Sequence, residues 1–171
     1  MLDEELMADS AADTMKGRYL TFLLGEEVFG IEIRFVTEII GIQPISPIPE
    51  TPEYIKGIIN LRGKIFPVID MRLKFKKQPE PYTDRTCIIV IETAGFSVGL
   101  IVDQVAEVLT MGDSDIVPPP SAWAGAGRRY LSGIGKVDGQ VKLLLDCEQL
   151  FNQEEVGEIG VSTGNATAAL G

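Results

Sequence analysis

A chain of 171 residues with 45% hydrophobic content has enough apolar material for a packed core, yet it contains no histidine. That removes the commonest general base, triad partner and metal ligand, and no nucleotide-binding or nucleophile-elbow motif takes their place. The net charge of −10 sits largely in the ends, with five acidic groups and one lysine in residues 1–16 and three acidic groups in 154–171, a balance that opposes nucleic-acid binding through phosphate neutralisation.

Residues 1–16 read as a flexible acidic leader, without the apolar stretch of a signal peptide. Segments 19–24 and 28–33 are apolar and flank a Gly25-Glu26-Glu27 turn, which predicts a hairpin. Val36, Ile39 and Ile40 then stand at helical spacing and predict a short helical stretch, with a third strand near 41–46. Pro44, Pro47, Pro49 and Pro52 break the following run, and Thr51-Pro52 resembles an N-cap opening a single turn through Ile55. Segments 57–61 and 64–69 flank Arg62-Gly63 as a second hairpin.

The plan then recurs. Segments 86–92 and 96–102 turn at Ala94-Gly95, and Val105, Val108 and Leu109 repeat the helical spacing, with a strand near 109–112. A longer loop follows, holding Pro118, Pro119, Pro120 and Trp123, and reads as surface. Segments 133–137 and 140–145 flank Asp138-Gly139, the pair favoured where both turn residues need positive φ. Residues 155–171 are a Gly/Ala/Ser/Thr tail too poor in large apolar groups to pack. The absence of a membrane-length apolar run and of a signal segment points to a soluble cytoplasmic protein, in which Cys87 and Cys147 read as reduced, core-side residues. Five strands per copy give an all-β protein of ten strands, in two small barrels or sandwiches with one core each.

Two registers carry the repeat. At a shift of 69, residues 29–40 (FGIEIRFVTEII) match 98–109 (VGLIVDQVAEVL), so Val36 meets Val105, Glu38 meets Glu107 and Ile39 meets Val108. At a shift of 76, residues 57–75 match 133–151, so Gly57 meets Gly133 and Asp70 meets Asp146. Arg62 falls on Asp138 and is the informative departure. Arginine fits positive φ less well than Asp, so a guanidinium held at a hairpin tip suggests a use, such as bidentate carboxylate contact or pairing with Glu38; the plainer reading is a solvated turn residue. Glu107 keeps the carboxylate, which favours a structural role for both. Val36, Ile39, Val105 and Val108 are core residues or, if they lie at the junction of the modules, lining for a groove. Gly57 and Gly133 suit close backbone packing.

The strings FGIEIRFVTEIIG at 29–41, IPETPEYIKGIINLRGKIFPVIDMRLKF at 48–75 and VGLIVDQVAEVL at 98–109 resemble the CheW family of bacterial chemotaxis coupling proteins. The likeness runs from about Tyr19 to Phe151, and the block YIKGIINLRGKIFPVIDMR is its most specific part. It implies two five-stranded SH3-like β-barrels packed side by side, with short helices and flexible termini. The domain would span 17–154, its repeats covering about 18–80 and 84–152, with strands possible to exchange between barrels. It implies no catalysis, cofactor or metal. The implied partners are the helical hairpin tip of a methyl-accepting chemoreceptor and the regulatory domain of the histidine kinase CheA, with membrane contact only through receptors. Carried over by position, Val36, Glu38, Ile39, Gly57, Arg62, Val105 and Val108 would serve receptor coupling. Val117 and Trp123 are the candidates for the kinase face. The alternative is a CheW-like module of a related signalling system or of a kinase or receiver fusion.

Overall fold

The computed structural model describes residues 16–93, 95–120 and 129–150. Eleven strands occur among them: β1 (Arg18–Leu24), β2 (Glu27–Glu32), β3 (Val36–Gly41), β4 (Ile55–Leu61), β5 (Lys64–Asp70), β6 (Cys87–Thr93), β7 (Phe96–Val102), β8 (Gln104–Thr110), β9 (Ile116–Val117), β10 (Leu131–Val137) and β11 (Gln140–Leu145). One helical turn, α1 (Met71–Lys74), follows β5, and 3-10 turns occupy Ile33–Phe35 and Asp113–Asp115. The strands form two sheets, ordered β8-β1-β2-β11-β10-β9 (barrel A) and β3-β6-β7-β5-β4 (barrel B). The all-β, two-barrel SH3-like architecture expected from the sequence is the one found.

Each barrel takes strands from both repeats. Hairpin β1–β2 of the first repeat joins β11 of the second through a parallel pairing, Leu143 with Phe29 and Leu144 with Gly30. Hairpin β6–β7 of the second joins β5 of the first in the same way, Val68 with Gly99 and Ile69 with Leu100. The chain therefore crosses between barrels twice, from β2 to β3 and from β7 to β8.

This crossing corrects the expectation of one core per module. Because β1, β2, β6 and β7 carry apolar groups on both faces, alternate residues go to different cores. Leu20, Phe22, Phe29 and Ile31 join Ile89, Ile91, Val98, Leu100 and Val102 in the largest cluster, built from both barrels. Val68, Ile88, Val90 and Ile101 fill barrel B, while Tyr19, Met111 and Leu144 fill barrel A. The two barrels are thus held by a shared core larger than either private one.

The helical stretches expected at 36–40 and 105–109 are strands, and they are the third strands placed too late at 41–46 and 109–112. Both contain a β-bulge. In β3, Val36 pairs with Ile91 and Ile39 with Ile89, so three steps along β3 match two along β6. In β8, Val105 pairs with Phe22 and Val108 with Leu20, again three steps against two. The extra residue puts i and i+3 on one face, the spacing that a helix also produces. The Thr51-Pro52 start is a reverse turn and no helix: Ile55 N–H donates to Pro52 O at 3.0 Å, and the Thr51 hydroxyl donates to Ile48 O at 3.0 Å. The eleventh strand, β9, is two residues long; its counterpart in the first repeat is the single bridge of Ser46 with Ile58.

Candidate docking seam

Strands β3 and β8 are edges of their sheets, each with one neighbour. Val36 and Val105 pack half-buried against the shared core. One bulge further on, Ile39 and Val108 lie on the same face but are 45% and 40% exposed. Their partners across the ladder, Ile89 and Leu20, are buried in that core. The structure therefore gathers these four residues as two short apolar rows at the margins of the shared core, each running outward to an exposed aliphatic group. Exposed large apolar groups at equivalent edges of both barrels mark a binding surface more readily than scattered ones do.

Glu38 and Arg62 form the polar part. Arg62 has φ 54° and Gly63 φ 86°, the two left-handed residues of a type I′ turn, matched by Asp138 at 52° and Gly139 at 75°. Left-handed backbone costs a residue with a Cβ about 1–2 kcal/mol, less for Asp, so Arg62 holds the less comfortable turn. The Asn60 side chain accepts from Gly63 N–H at 2.9 Å and fixes the tip. From there Arg62 Nη2 donates to Glu38 Oε2 at 2.5 Å, with side chains 69% and 31% exposed. Glu38 pairs across the ladder with Val90, and Ile40 with Ile88, both members of barrel B's own core. The carboxylate thus leaves β3 on the barrel side, opposite the Val36–Ile39 row. An exposed pair of this kind contributes about 0–1 kcal/mol, so it positions rather than stabilises.

Glu107 does not repeat this arrangement. Its backbone N–H donates to the Thr21 hydroxyl at 3.1 Å, and that hydroxyl donates to Glu107 O at 2.7 Å, so one buried side chain satisfies the β8 bulge. Gly57 is a packing residue: it has φ 146°, and a Cβ there would lie 2.1 Å from Ser46 O. Val117 sits exposed on β9, paired with Ile134. Trp123 lies outside the described residues. Among the described residues no three carboxylates or thiols gather to hold a metal ion. Burial raises the Cys87 thiol, and burial with nearby carboxylates pushes that of Cys147 up to about 12; both cysteines are free.

One pair escaped the sequence reading. Arg72 Nε donates to Asp103 Oδ1 at 2.7 Å, and Nη2 donates to Oδ2, giving a two-pronged contact with side chains only 16% and 29% exposed. Asp103 is the single residue between β7 and β8. The repeat held a signal for it. Asp103 falls on Arg34 at the first register and Arg72 on Glu148 at the second, a charge reversal at both ends. Arg34 bonds Glu32 at 2.7 Å, and Glu32 by hydrogen bond and charge, then Glu148 by charge, favour its charged form.

Two barrels sharing a core, with apolar rows along their outer strands, make a binding module. The CheW-like domain model matches residues 18–155. The chain is similar to the chemotaxis protein CheW of Klebsiella aerogenes, 38% identical over 146 residues covering 85% of this chain and 88% of that one. It is also similar to CheW of Rhizobium meliloti, 35% identical over 83% of this chain and 92% of the relative. The crystal structure of the scaffolding protein TtCheW from Thermoanaerobacter tengcongensis superposes with a TM-score of 0.75 at 37% identity, covering 81% of this chain and 94% of that one. The chain belongs to the CheW family of chemotaxis adaptor proteins.

Proposed function

We propose that this chain joins the cytoplasmic tips of chemoreceptors to the regulatory domain of the histidine kinase CheA, acting in the cytoplasm as a scaffold with no chemical step. The observation that carries this reading is the matched pair of bulged edge strands. Each offers an apolar row ending in an exposed aliphatic group, at equivalent margins of one shared core. A receptor's helical hairpin presents amphipathic helices, and helix-in-groove recognition takes such a row as its apolar complement. Val36, Ile39, Val105 and Val108 supply the contact. Gly57 keeps the Ser46 segment closely packed on β4. Arg62, more exposed than the carboxylate it holds, offers guanidinium hydrogens to a partner while Glu38 sets its direction. Val117 on β9 and, from the sequence alone, Trp123 are the candidates for contact with the kinase. The membrane enters only through the receptors.

Co-sedimentation of the chain with receptor cytoplasmic fragments and CheA tests the reading. A ternary complex is expected. Replacing Arg62 by Asp restores the turn chemistry of the other repeat and should leave the fold intact while weakening receptor-dependent kinase activation. Normal coupling by that variant, or no ternary complex with the natural chain, would sink the proposal.

A further inference from the structure

We propose that Arg72 and Asp103 are positioning residues for the β8 row of the seam, a role that rests on the docking function above. Among the strands only β1 holds the start of β8, with Gln104 opposite Leu23 and Val105 opposite Phe22. Strand β8 is an edge strand, its bulge interrupts the ladder to β1, and it enters barrel A after one residue, whereas β3 enters barrel B after the Ile33–Phe35 turn. Asp103 compensates at that one residue. Its N–H donates to Leu23 O at 3.1 Å, and its carboxylate accepts from Gly25 N–H at 2.7 Å as well as from both prongs of Arg72. Arg72 is itself fixed. Asp70 caps α1 by accepting from the N–H groups of Arg72 and Leu73, Tyr82 donates to the other Asp70 oxygen at 3.0 Å, and Arg72 Nη1 donates to Gln78 O at 3.2 Å.

The clamp therefore joins the β1–β2 turn, the crossover, α1 and the segment between repeats. Two residues beyond Asp103 the chain reaches Val105. The first residue of β8, Gln104, lines a polar cavity of about 510 Å³ together with Arg72 and Asp103, so the clamp acts at the point where β8 begins. At the mirrored crossover the charges are reversed in sequence, Arg34 for Asp103 and Glu148 for Arg72, but there Arg34 bonds Glu32 instead.

The test uses the full chain with three variants: Asp103→Asn, which keeps an acceptor for Gly25 but loses the charge; Arg72→Glu; and the double variant Arg72→Glu with Asp103→Arg. Amide hydrogen exchange in the free protein should quicken about tenfold in β8 for Asp103→Asn while β3 stays unchanged, because local opening reports the strand that lost its tie. Affinity for a soluble receptor cytoplasmic fragment, measured by calorimetry, should fall about fivefold in both single variants and recover in part in the double variant, which restores an opposite-charge pair but leaves Gly25 N–H without its acceptor. Unchanged β8 exchange, equal acceleration in β3 and β8, or full affinity alongside a loosened β8 would each overturn the proposal. A natural chain that fails to bind the fragment would instead overturn the docking function, and the exchange data would still decide whether the clamp pins β8.

Discussion

Strands β3 and β8 hold equivalent places in the two barrels, share a bulge, and each carry a half-buried valine followed by an exposed aliphatic residue. They differ in what locks them. Strand β3 is tied at its middle, from the barrel side, by Glu38 to the Arg62 hairpin tip. Strand β8 is tied at its entrance by Asp103 to Arg72, and its bulge is filled by the Thr21 hydroxyl. The repeat thus preserves backbone shape and apolar faces, while the polar residues diverge and make the two margins unequal. A partner that reads both rows would meet one edge with a guanidinium nearby and one without, and such inequality fixes the direction in which a helix lies.

Four sets of substitutions probe this contrast, ordered by their expected effect on folding stability. The largest belongs to the glycine pair. Gly57→Ala places a methyl group against Ser46 O at left-handed φ, whereas Gly133→Ala meets the movable Ile116 Cγ2 at 2.8 Å. Urea denaturation should show a loss of about 3 kcal/mol or more for the first and about 1 kcal/mol for the second.

Arg72→Ala comes next, at about 1–2 kcal/mol, because it strands a half-buried carboxylate that still binds Gly25. This pair also sets a pH signature. Burial alone would raise the Asp103 carboxyl, but the Arg72 hydrogen bond, the Gly25 amide and the charges of Arg72 and Lys77 outweigh it and hold the group below its ordinary value. A depressed folded value means the stabilisation is present above the unfolded value and is lost as pH falls through the folded one. The stability gap between the natural chain and Asp103→Asn should therefore be flat above about pH 4 and shrink below it, as followed by thermal unfolding across pH.

Arg62→Asn should change stability by less than about 1 kcal/mol, since relief of the turn offsets loss of an exposed pair. Its thermal midpoint should stay close to that of the natural chain while receptor-fragment binding weakens. Smallest of all, Ile39→Asp and Val108→Asp should each shift stability by only about 0.5 kcal/mol. Their value lies in binding: calorimetry should show unequal losses, larger at Ile39, the more exposed of the two aliphatic ends.

Much of the fold was legible in local pattern. Alternating apolar residues marked the hairpins, and Asp138-Gly139 and Arg62-Gly63 announced their turns, because type I′ geometry restricts which residues fit. The third strands were misread as helices, since a β-bulge gives Val36 and Ile39 the same i, i+3 spacing as a helical face. Periodicity cannot separate the two without the neighbouring strand. In the candidate site, Arg62 stood out by contrast with Asp138, and its partner Glu38 was among the choices. The Arg72–Asp103 clamp was written as a charge reversal between repeats, but it becomes meaningful only when the crossover brings the two residues together.

By itself the sequence determined the number of modules, the family, and the residue types at each turn and edge, because those follow from local sterics and from a repeated pattern. The tertiary structure alone decided that each barrel takes strands from both repeats. It also decided that the principal core lies between the barrels, and that Glu38 and the Ile39 row leave β3 on opposite faces. The physical reason is that strands apolar on both faces satisfy several pairings equally well in pattern. Only the pairing of β2 with β11 and of β7 with β5 selects the one in which the inner faces of both hairpins are buried in the shared core.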